Sequence, residues 1–437
     1  MRMKNIFIYI VALIAIAACQ HEDDPLLMGR PEERMEQILK DYRQQLVDAP
    51  SGWKGYLFPG SGGGYSFYMT FSSEGRVTML ADINADCQVK PFESSFRMEA
   101  VQRPSLFFDT YSYLHILSDP DPDTVGGAQG HGLNSDFEFA FESTQGDTIK
   151  LKGNQHGSPL LLIKATAAES EALRRGDLNV LQKGIVGYKD KSPFTYLQSR
   201  DGKRINTSFN LDTKTFSLSF KQADSLNIQT TPFAYTTNGI FLQKQVTYKD
   251  VTFHEVFYDA SQKFYVMVDG ERINLVPSAD PILPLHLLLG IDFTTVSVPF
   301  EPLPGWSPLY TNARLTIHNS LLAKGVGLSN IELAFNPKNK TLTLDVFMRA
   351  VGDGGYYLGR YQYAYTKSAD GVFKFTRYEE PTGNAKFIEE DMAPFLYYFN
   401  SSRFRMEYLK TADGFVAQLK CVESPSFYFS GNFGSAF

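Results

Sequence analysis

The sequence predicts a mainly β protein: two or three antiparallel β-sandwich or barrel-like units with an N-terminal helix and a few short helices. Three observations predict it. The chain carries 35 Phe and 24 Tyr against 2 Trp, and aromatic and β-branched residues favour strands. Its apolar residues fall in short runs such as Tyr65 to Phe71, Thr148 to Leu151 and Phe264 to Val268, punctuated at short intervals by Gly, Asp, Ser and Pro, as in antiparallel sandwiches and barrels. Helical spacing is sustained only in a few short stretches.

The chain opens with Met1-Arg2-Met3-Lys4 and an uncharged apolar run from Ile6 to Ala18, the layout of a secretory signal peptide over residues 1–18. The run is shorter than the roughly 20 residues that a membrane span requires, and Glu22, Asp23 and Asp24 follow it. Ile16-Ala17-Ala18-Cys19 resembles the lipobox of bacterial lipoproteins, which implies lipidation of Cys19 and attachment to the lipid bilayer. A single acyl chain holds only reversibly, so several make a durable anchor. Residues 19–29 form an acidic tether, similar to tracts that route lipoproteins to the cell surface. The expected location is the outer membrane, lipid-anchored and facing the exterior.

Residues 30–180 read as a helix plus a first β unit. Pro31-Glu32-Glu33 opens the helix with proline and acids in its first turn; Met35, Ile38, Leu39, Tyr42 and Leu46 repeat at helical spacing, and Pro50 and Gly52 end it. Strand-like runs follow at Tyr65 to Phe71, Arg76 to Leu80, Ser105 to Ile116, Phe137 to Phe141, Thr148 to Leu151 and Leu160 to Ile163. A short helix from Ala167 to Arg175 stops at Gly176. A second β unit, 181–280, has a hairpin signal at Asn210 to Phe216 and runs at Ile240 to Leu242, Thr252 to Tyr258 and Phe264 to Val268. A third, 281–437, either separate or merged with the second, has Ile331 to Phe335 and Thr341 to Phe347 joined across Asn336 to Asn339. Phe233-Ala234-Tyr235 running into Asn238-Gly239-Ile240-Phe241 is echoed by Tyr363-Ala364-Tyr365 running into Asp370-Gly371-Val372-Phe373. Duplication of a β unit or a chance likeness of two aromatic hairpins explains the echo equally well.

The formal charge is −6, and without basic runs the chain has no means of neutralising phosphates, which argues against nucleic acid. After Cys19 only Cys87 and Cys421 remain; two buried free thiols are expected over a bridge. The 7 His are scattered and no C-x-x-C occurs, so metal-ligand spacing is absent and no cofactor is expected.

Several segments are tested against chemical motifs. Asp119-Pro120-Asp121-Pro122-Asp123 spaces carboxylates as calcium loops do, but Thr124 and Gly130 stand where that loop needs Gly and Glu; a looser calcium site would use Asp136 or Glu138. His254-Glu255 is followed by Tyr258 where a zinc peptidase needs its second histidine. Gly60 to Gly64 lacks the Lys-Ser of a phosphate loop and leads into a strand. The remaining cluster, Asp109, His115, His131, Asp136 and Glu138 with the acids at 119, 121 and 123, would line a hydrolytic or metal pocket only if hairpins bring it together.

Taken with the lipobox, the segments Ala49-Pro50-Ser51-Gly52-Trp53-Lys54-Gly55-Tyr56, Ser105 to Tyr111 and Gly132 to Phe139 give the chain a likeness: it resembles a Bacteroidota outer-membrane lipoprotein family catalogued as a domain of unknown function (family 4302). The resemblance implies association with nutrient-uptake genes of the SusC and SusD kind and brings no catalytic residues. The expected function is therefore accessory binding of a glycan or of an outer-membrane uptake protein, with Trp53, Trp306 and exposed Tyr or Phe as stacking residues. Two other readings stand beside it: a hydrolase with dispersed catalytic residues, and a lipocalin-like carrier of an apolar ligand.

Overall fold

A computed structural model describes residues 31–434 apart from 101, 223–224 and 353; the leader, Cys19 and the acidic tether lie outside the described residues. The chain divides into two compact units at Arg175/Gly176, with Gly62–Tyr65 grouped with the second. The described strands close into three antiparallel barrels of eight strands each, every strand lying beside its sequence neighbours. The body is mainly β, as expected.

Alternation builds the walls. In β7 (Thr148–Gly153) Ile149 and Leu151 point inward while Lys150 and Lys152 face solvent; in β20 (Tyr356–Lys367) Gly359, Tyr361, Tyr363 and Tyr365 are buried and Arg360, Ala364 and Thr366 exposed. Successive strand residues face opposite sides, so apolar residues at every second position fill a closed interior.

The first barrel comprises β1 (Trp53–Leu57), β2 (Tyr65–Phe71), β3 (Arg76–Ala81), β4 (Phe92–Ala100), β5 (Pro104–Phe108), β6 (Glu138–Gln145), β7 and β8 (Pro159–Lys164). Helix α1 (Pro31–Val47) packs on it: Tyr42 stacks on Phe141 at 3.9 Å. The run expected as strand from Ser105 to Ile116 stays extended only to Phe108. Ser112 then caps a short helix, α2 (Tyr113–Ile116), exchanging a capping-box pair with His115, and such a side-chain cap competes with strand pairing. A second short helix, α3 (Pro122–Val125), follows, and α4 (Ala167–Arg175) ends the unit.

The second unit starts with α5 (Asp177–Lys191), which buries Leu178, Leu181 and Ile185 on the second barrel. The helix read from Ala167 to Arg175 does stop at Gly176; that glycine, at φ 84°, turns the chain into α5, a helix the sequence reading lacked. The second barrel runs β9 (Phe194–Gln198), β10 (Arg204–Asn210), β11 (Thr215–Gln222), β12 (Ser225–Thr236), β13 (Gly239–Tyr248), β14 (Val251–Tyr258), β15 (Phe264–Val268) and β16 (Glu271–Ser278). After α6 (Leu285–Leu288), the third comprises β17 (Thr295–Pro299), β18 (Val326–Asn336), β19 (Thr341–Ala350), β20, β21 (Val372–Arg377), β22 (Arg403–Thr411), β23 (Gly414–Cys421) and β24 (Tyr428–Gly434). Between β17 and β18 lies a helix not read from the sequence, α7 (Pro308–Ala323); Ser307 caps it by accepting from the Tyr310 N–H at 3.1 Å, with Pro308 in its first turn. Two more, α8 (Gly383–Phe387) and α9 (Ala393–Ser401), lie between β21 and β22. The echo is now placed: its two copies are the hairpins β12–β13 and β20–β21, the fourth and fifth strands of the second and third barrels.

Rings meet across each interior. Phe71 of β2 reaches Phe108 of β5 at 6.4 Å, Phe209 of β10 stacks on Phe264 of β15 at 4.6 Å, and Phe335 of β18 reaches Phe373 of β21 at 5.9 Å. Helices α7 and α9 add Tyr310, Phe395 and Phe399 to the third core, with Phe375 stacked on Phe399 at 4.5 Å. Eight strands enclose just enough room for side chains to fill. Aromatic contacts across the interiors argue against the wide, aromatic-lined chamber that the carrier reading required.

The second and third barrels meet at an aromatic junction. Phe194 of β9 contacts Tyr408 and Phe415 of the third barrel at 5.6 and 5.1 Å, and Phe293, just before β17, lies 4.2 Å from Phe433. Asp292 sits among these rings. Asn206 Nδ2 donates to its Oδ2 at 3.4 Å, while its Oδ1 is buried with no hydrogen-bond partner among the described residues.

Candidate functional site

The sequence-predicted polar residues all lie in the first unit, each with a separate task. Asp109 accepts from Arg97 Nε at 2.6 Å. The His115 ring is stacked on Phe137 at 4.2 Å, its Nδ1 accepts the Ser112 N–H, and burial holds its pKa below the usual histidine value. Asp119 accepts the Asp121 N–H, and Asp121 caps α3 by accepting the Asp123 N–H; these are local turn bonds of the kind short acidic side chains make. Asp123 and His131 are exposed. Asp136 is buried and accepts three backbone N–H groups, from Gln155, His156 and Ser158, at 2.8, 2.9 and 3.0 Å. Glu138 stands on the outer face of β6. No group of three or more His, Cys, Asp or Glu side chains is placed to hold a metal ion among the described residues. The segment therefore does not converge into the pocket that a hydrolase or a looser calcium site requires. Cys87 and Cys421 are both free and buried.

The two tryptophans are not exposed stacking platforms, and the structure corrects that expectation. Trp53 is fully buried, its indole N–H donating to the Leu46 carbonyl at 2.9 Å, which ties α1 to β1. Trp306 is part-buried, donates to the Ser430 carbonyl at 2.9 Å, and lies edge-on to Tyr310 at 5.0 Å. Buried indoles find such N–H partners.

One group of exposed aromatic and aliphatic residues lies at an end of the third barrel. In the β19–β20 hairpin Val351 is 65% and Tyr356 71% exposed, with Tyr357 and Leu358 beside them; Leu322 of α7 and Phe387 of α8, the latter 58% exposed, complete the set. Hydrogen bonds hold the elements that carry these residues together. The Val351 N–H donates to the Gly325 carbonyl at 2.9 Å, joining the hairpin to the end of α7. Asn384 Nδ2 donates to the Leu358 carbonyl at 3.1 Å, joining it to α8, and Lys324 Nζ closes the ring by donating to the Phe387 carbonyl at 2.9 Å and lying 4.5 Å from that ring's centroid.

Next to this rim runs a groove of about 310 Å³ lined by Leu358, Arg360, Gln362, Glu379, Glu380 and Asn384. Its side chains are held in place. Arg360 donates twice to Asp345, at 2.8 and 2.9 Å, a planar fork that fixes its orientation. Gln362 accepts from the Tyr378 hydroxyl at 2.6 Å and donates to Glu379 at 2.9 Å. Flat rings beside fixed planar amides and carboxylates can stack on a ligand's apolar face and hydrogen-bond its hydroxyls. Sequence reasoning missed this site, although the Gly354-Gly355-Tyr356-Tyr357 run marks a hairpin tip with aromatics on it.

No helix among the described residues is long and apolar enough to cross a membrane. The family whose sequence model matches residues 23–260, over half of the 437-residue chain, is described as "Domain of unknown function (DUF4302)". The match begins in the acidic tether and ends between β14 and β15, so the third barrel with its rim lies beyond it. No curated protein matches the chain.

Proposed function

The chain belongs to that family of unknown function, and from this premise we propose a lipid-anchored, surface-exposed outer-membrane protein that binds rather than catalyses, capturing a glycan for a nutrient-uptake system. The reading is carried by one observation, the exposed set Val351, Tyr356, Tyr357, Leu358 and Phe387 on hydrogen-bonded elements at one end of the third barrel, beside a polar groove. Exposed apolar patches of this kind mark interaction sites. Aromatic residues supply large rigid contact area at low entropic cost, and a pyranose ring presents the matching combination of apolar face and peripheral hydroxyls. The Bacteroidota setting and the uptake partner rest on the sequence resemblance, and the anchor rests on Ile16-Ala17-Ala18-Cys19.

Binding is tested by affinity electrophoresis of the mature protein against a panel of polysaccharides. Replacing Tyr356 and Tyr357 together by alanine is expected to weaken capture roughly tenfold or more, the size of an aromatic hot spot, with an unchanged circular dichroism spectrum. Equal retardation of variant and native protein on every polysaccharide bound would refute the rim. Anchoring is tested separately: Cys19→Ala should leave the protein unlabelled by radioactive palmitate and release it from the membrane fraction or stall it as precursor, and normal labelling would sink the assignment.

A further inference from the structure

A second groove, of about 420 Å³, lies on the outer wall of the first barrel across β5, β6 and β7. Its position follows from the strand register. Ser105 pairs with Ala140 and Ala140 with Lys152, while Phe107 pairs with Glu138, so these side chains share the outward face. The floor is low because Ala140 is small; Gly153, paired with Phe139 and so turned to the opposite face, lies against Asp136, whose carboxylate a Cβ would meet at 2.0 Å. Ala140 and Phe107 are buried, which gives an apolar base beneath a polar margin.

The margin is unusual in being uncommitted. Gln102, Arg103, Glu138, Lys152 and Asn154 surround the groove, and no side-chain hydrogen bond or ion pair engages any of the five among the described residues. At the Phe107 edge of the groove the charge is spent: Arg97 lies over that ring at 4.5 Å and pairs with both Asp109 and Glu99. The Asp136 bonds to Gln155, His156 and Ser158 fix the chain directly after Asn154, and the Asn154 N–H donates to the Glu138 carbonyl at 3.0 Å. The polar set is thus held on a firm frame while its hydrogen-bonding capacity is left open.

We propose that this groove is a binding site for a hexuronate sugar, with Arg103 and Lys152 receiving the carboxylate and Glu138, Gln102 and Asn154 receiving the ring hydroxyls. Two cations against one carboxylate leave a single net positive charge, which matches a ligand with one anionic group per ring. An arginine offers a carboxylate two parallel donors and a lysine adds a point charge. Amide and carboxylate side chains supply both donors and acceptors to vicinal hydroxyls. The volume falls in the range of small-ligand pockets, roughly 300–1,000 Å³. A polyphosphate or nucleic acid would need more cations than the groove presents. This site is independent of the rim on the third barrel.

The test is calorimetric titration of the full mature chain with galacturonic and glucuronic acids, with short oligomers of each, and with the corresponding neutral oligomers. Binding of a uronate is expected to weaken with added salt. Arg103→Ala and Lys152→Ala should each weaken it about tenfold and should together abolish it, with little change in melting temperature since neither side chain makes a hydrogen bond or ion pair among the described residues; the Tyr356/Tyr357 double variant should bind it as the native protein does. Equal affinity for monomer and oligomer assigns the site to a free sugar or chain end, and tighter oligomer binding assigns it to a polymer. The proposal is overturned by equal binding of neutral oligomers, by undiminished binding in the Arg103/Lys152 double variant, or by no binding of either uronate as monomer or oligomer. The rim reading is untouched by any of these results.

Discussion

Replacing Asp136 with alanine is expected to lower the stability of the first unit by about 3–5 kcal/mol, with the loss seen as a lower denaturant midpoint at unchanged slope. The residue is 3% exposed and its carboxylate accepts three backbone N–H groups. Hydrogen bonds to a charged acceptor are worth roughly 1.5–3 kcal/mol each, are not additive, and leave desolvated donors when the acceptor is deleted. Alanine would orphan the N–H groups of Gln155, His156 and Ser158 together and open space beneath Gly153. Asparagine is expected to cost less, about 1–2 kcal/mol, because one oxygen can keep the two bonds that Oδ1 makes while the new amide opposes the Ser158 N–H. A loss below about 1 kcal/mol for alanine would mean that water reaches those N–H groups and that the carboxylate is not the frame of the β7–β8 turn.

The second large effect is a pH dependence centred on Asp292. As a whole the residue is part-buried, yet its Oδ1 is shut off from solvent with no hydrogen-bond partner among the described residues. Burial pushes its pKa up to about 6, opposed by Lys189 at the end of α5 and by bonds from Ser208 and Asn206; burial in turn pushes Lys189 down. Tyr408, whose hydroxyl is also buried without a partner among the described residues, is raised by burial and by Asp292. Because the folded pKa of Asp292 lies above its unfolded value, the folded state binds the proton more tightly. Its stabilising contribution is full below about pH 4, is lost as pH rises toward about 6, and amounts to about 2–3 kcal/mol. Other carboxylates are held low by their partners, Glu389 by Lys386 and Arg377 and Asp201 by Lys249 and Ser199, and they tilt the curve the other way. The readout is therefore a difference. Relative to the native protein, Asp292→Asn should gain about 2–3 kcal/mol between pH 4 and pH 7, whatever its offset at either end. Parallel stability curves for the two proteins would rule out this linkage.

Much of this architecture was legible in the sequence, and the gaps have physical causes. Runs such as Tyr65 to Phe71 and Thr148 to Leu151 declared strands because every second residue is apolar. The run at Ser105 was cut short by Ser112, a capping signal hidden inside an aromatic stretch. Helix α7 carried Ser307-Pro308 as its start signal, but Pro299, Pro302 and Pro304 just before it break the helical pattern. The site was less legible than the fold. Asp136 and Glu138 were picked out as polar candidates, yet only the register separates a carboxylate turned under the β7–β8 hairpin from one turned outward to a groove. Trp53 and Tyr356 are both large aromatics in strands; which parity faces the core is undecided where aromatics occupy both faces, as in Tyr356 to Tyr365.

Closure of the barrels also bears on resistance to proteolysis. Proteases bind their substrates as extended backbone, adding a strand to a free edge. A described body whose strands are all paired on both sides offers no such edge, so cutting is confined to exposed connections such as the segment from Thr124 to His131. A nick there leaves both ends of the chain held by the strands on either side, so the barrel can keep its shape after the covalent chain is broken.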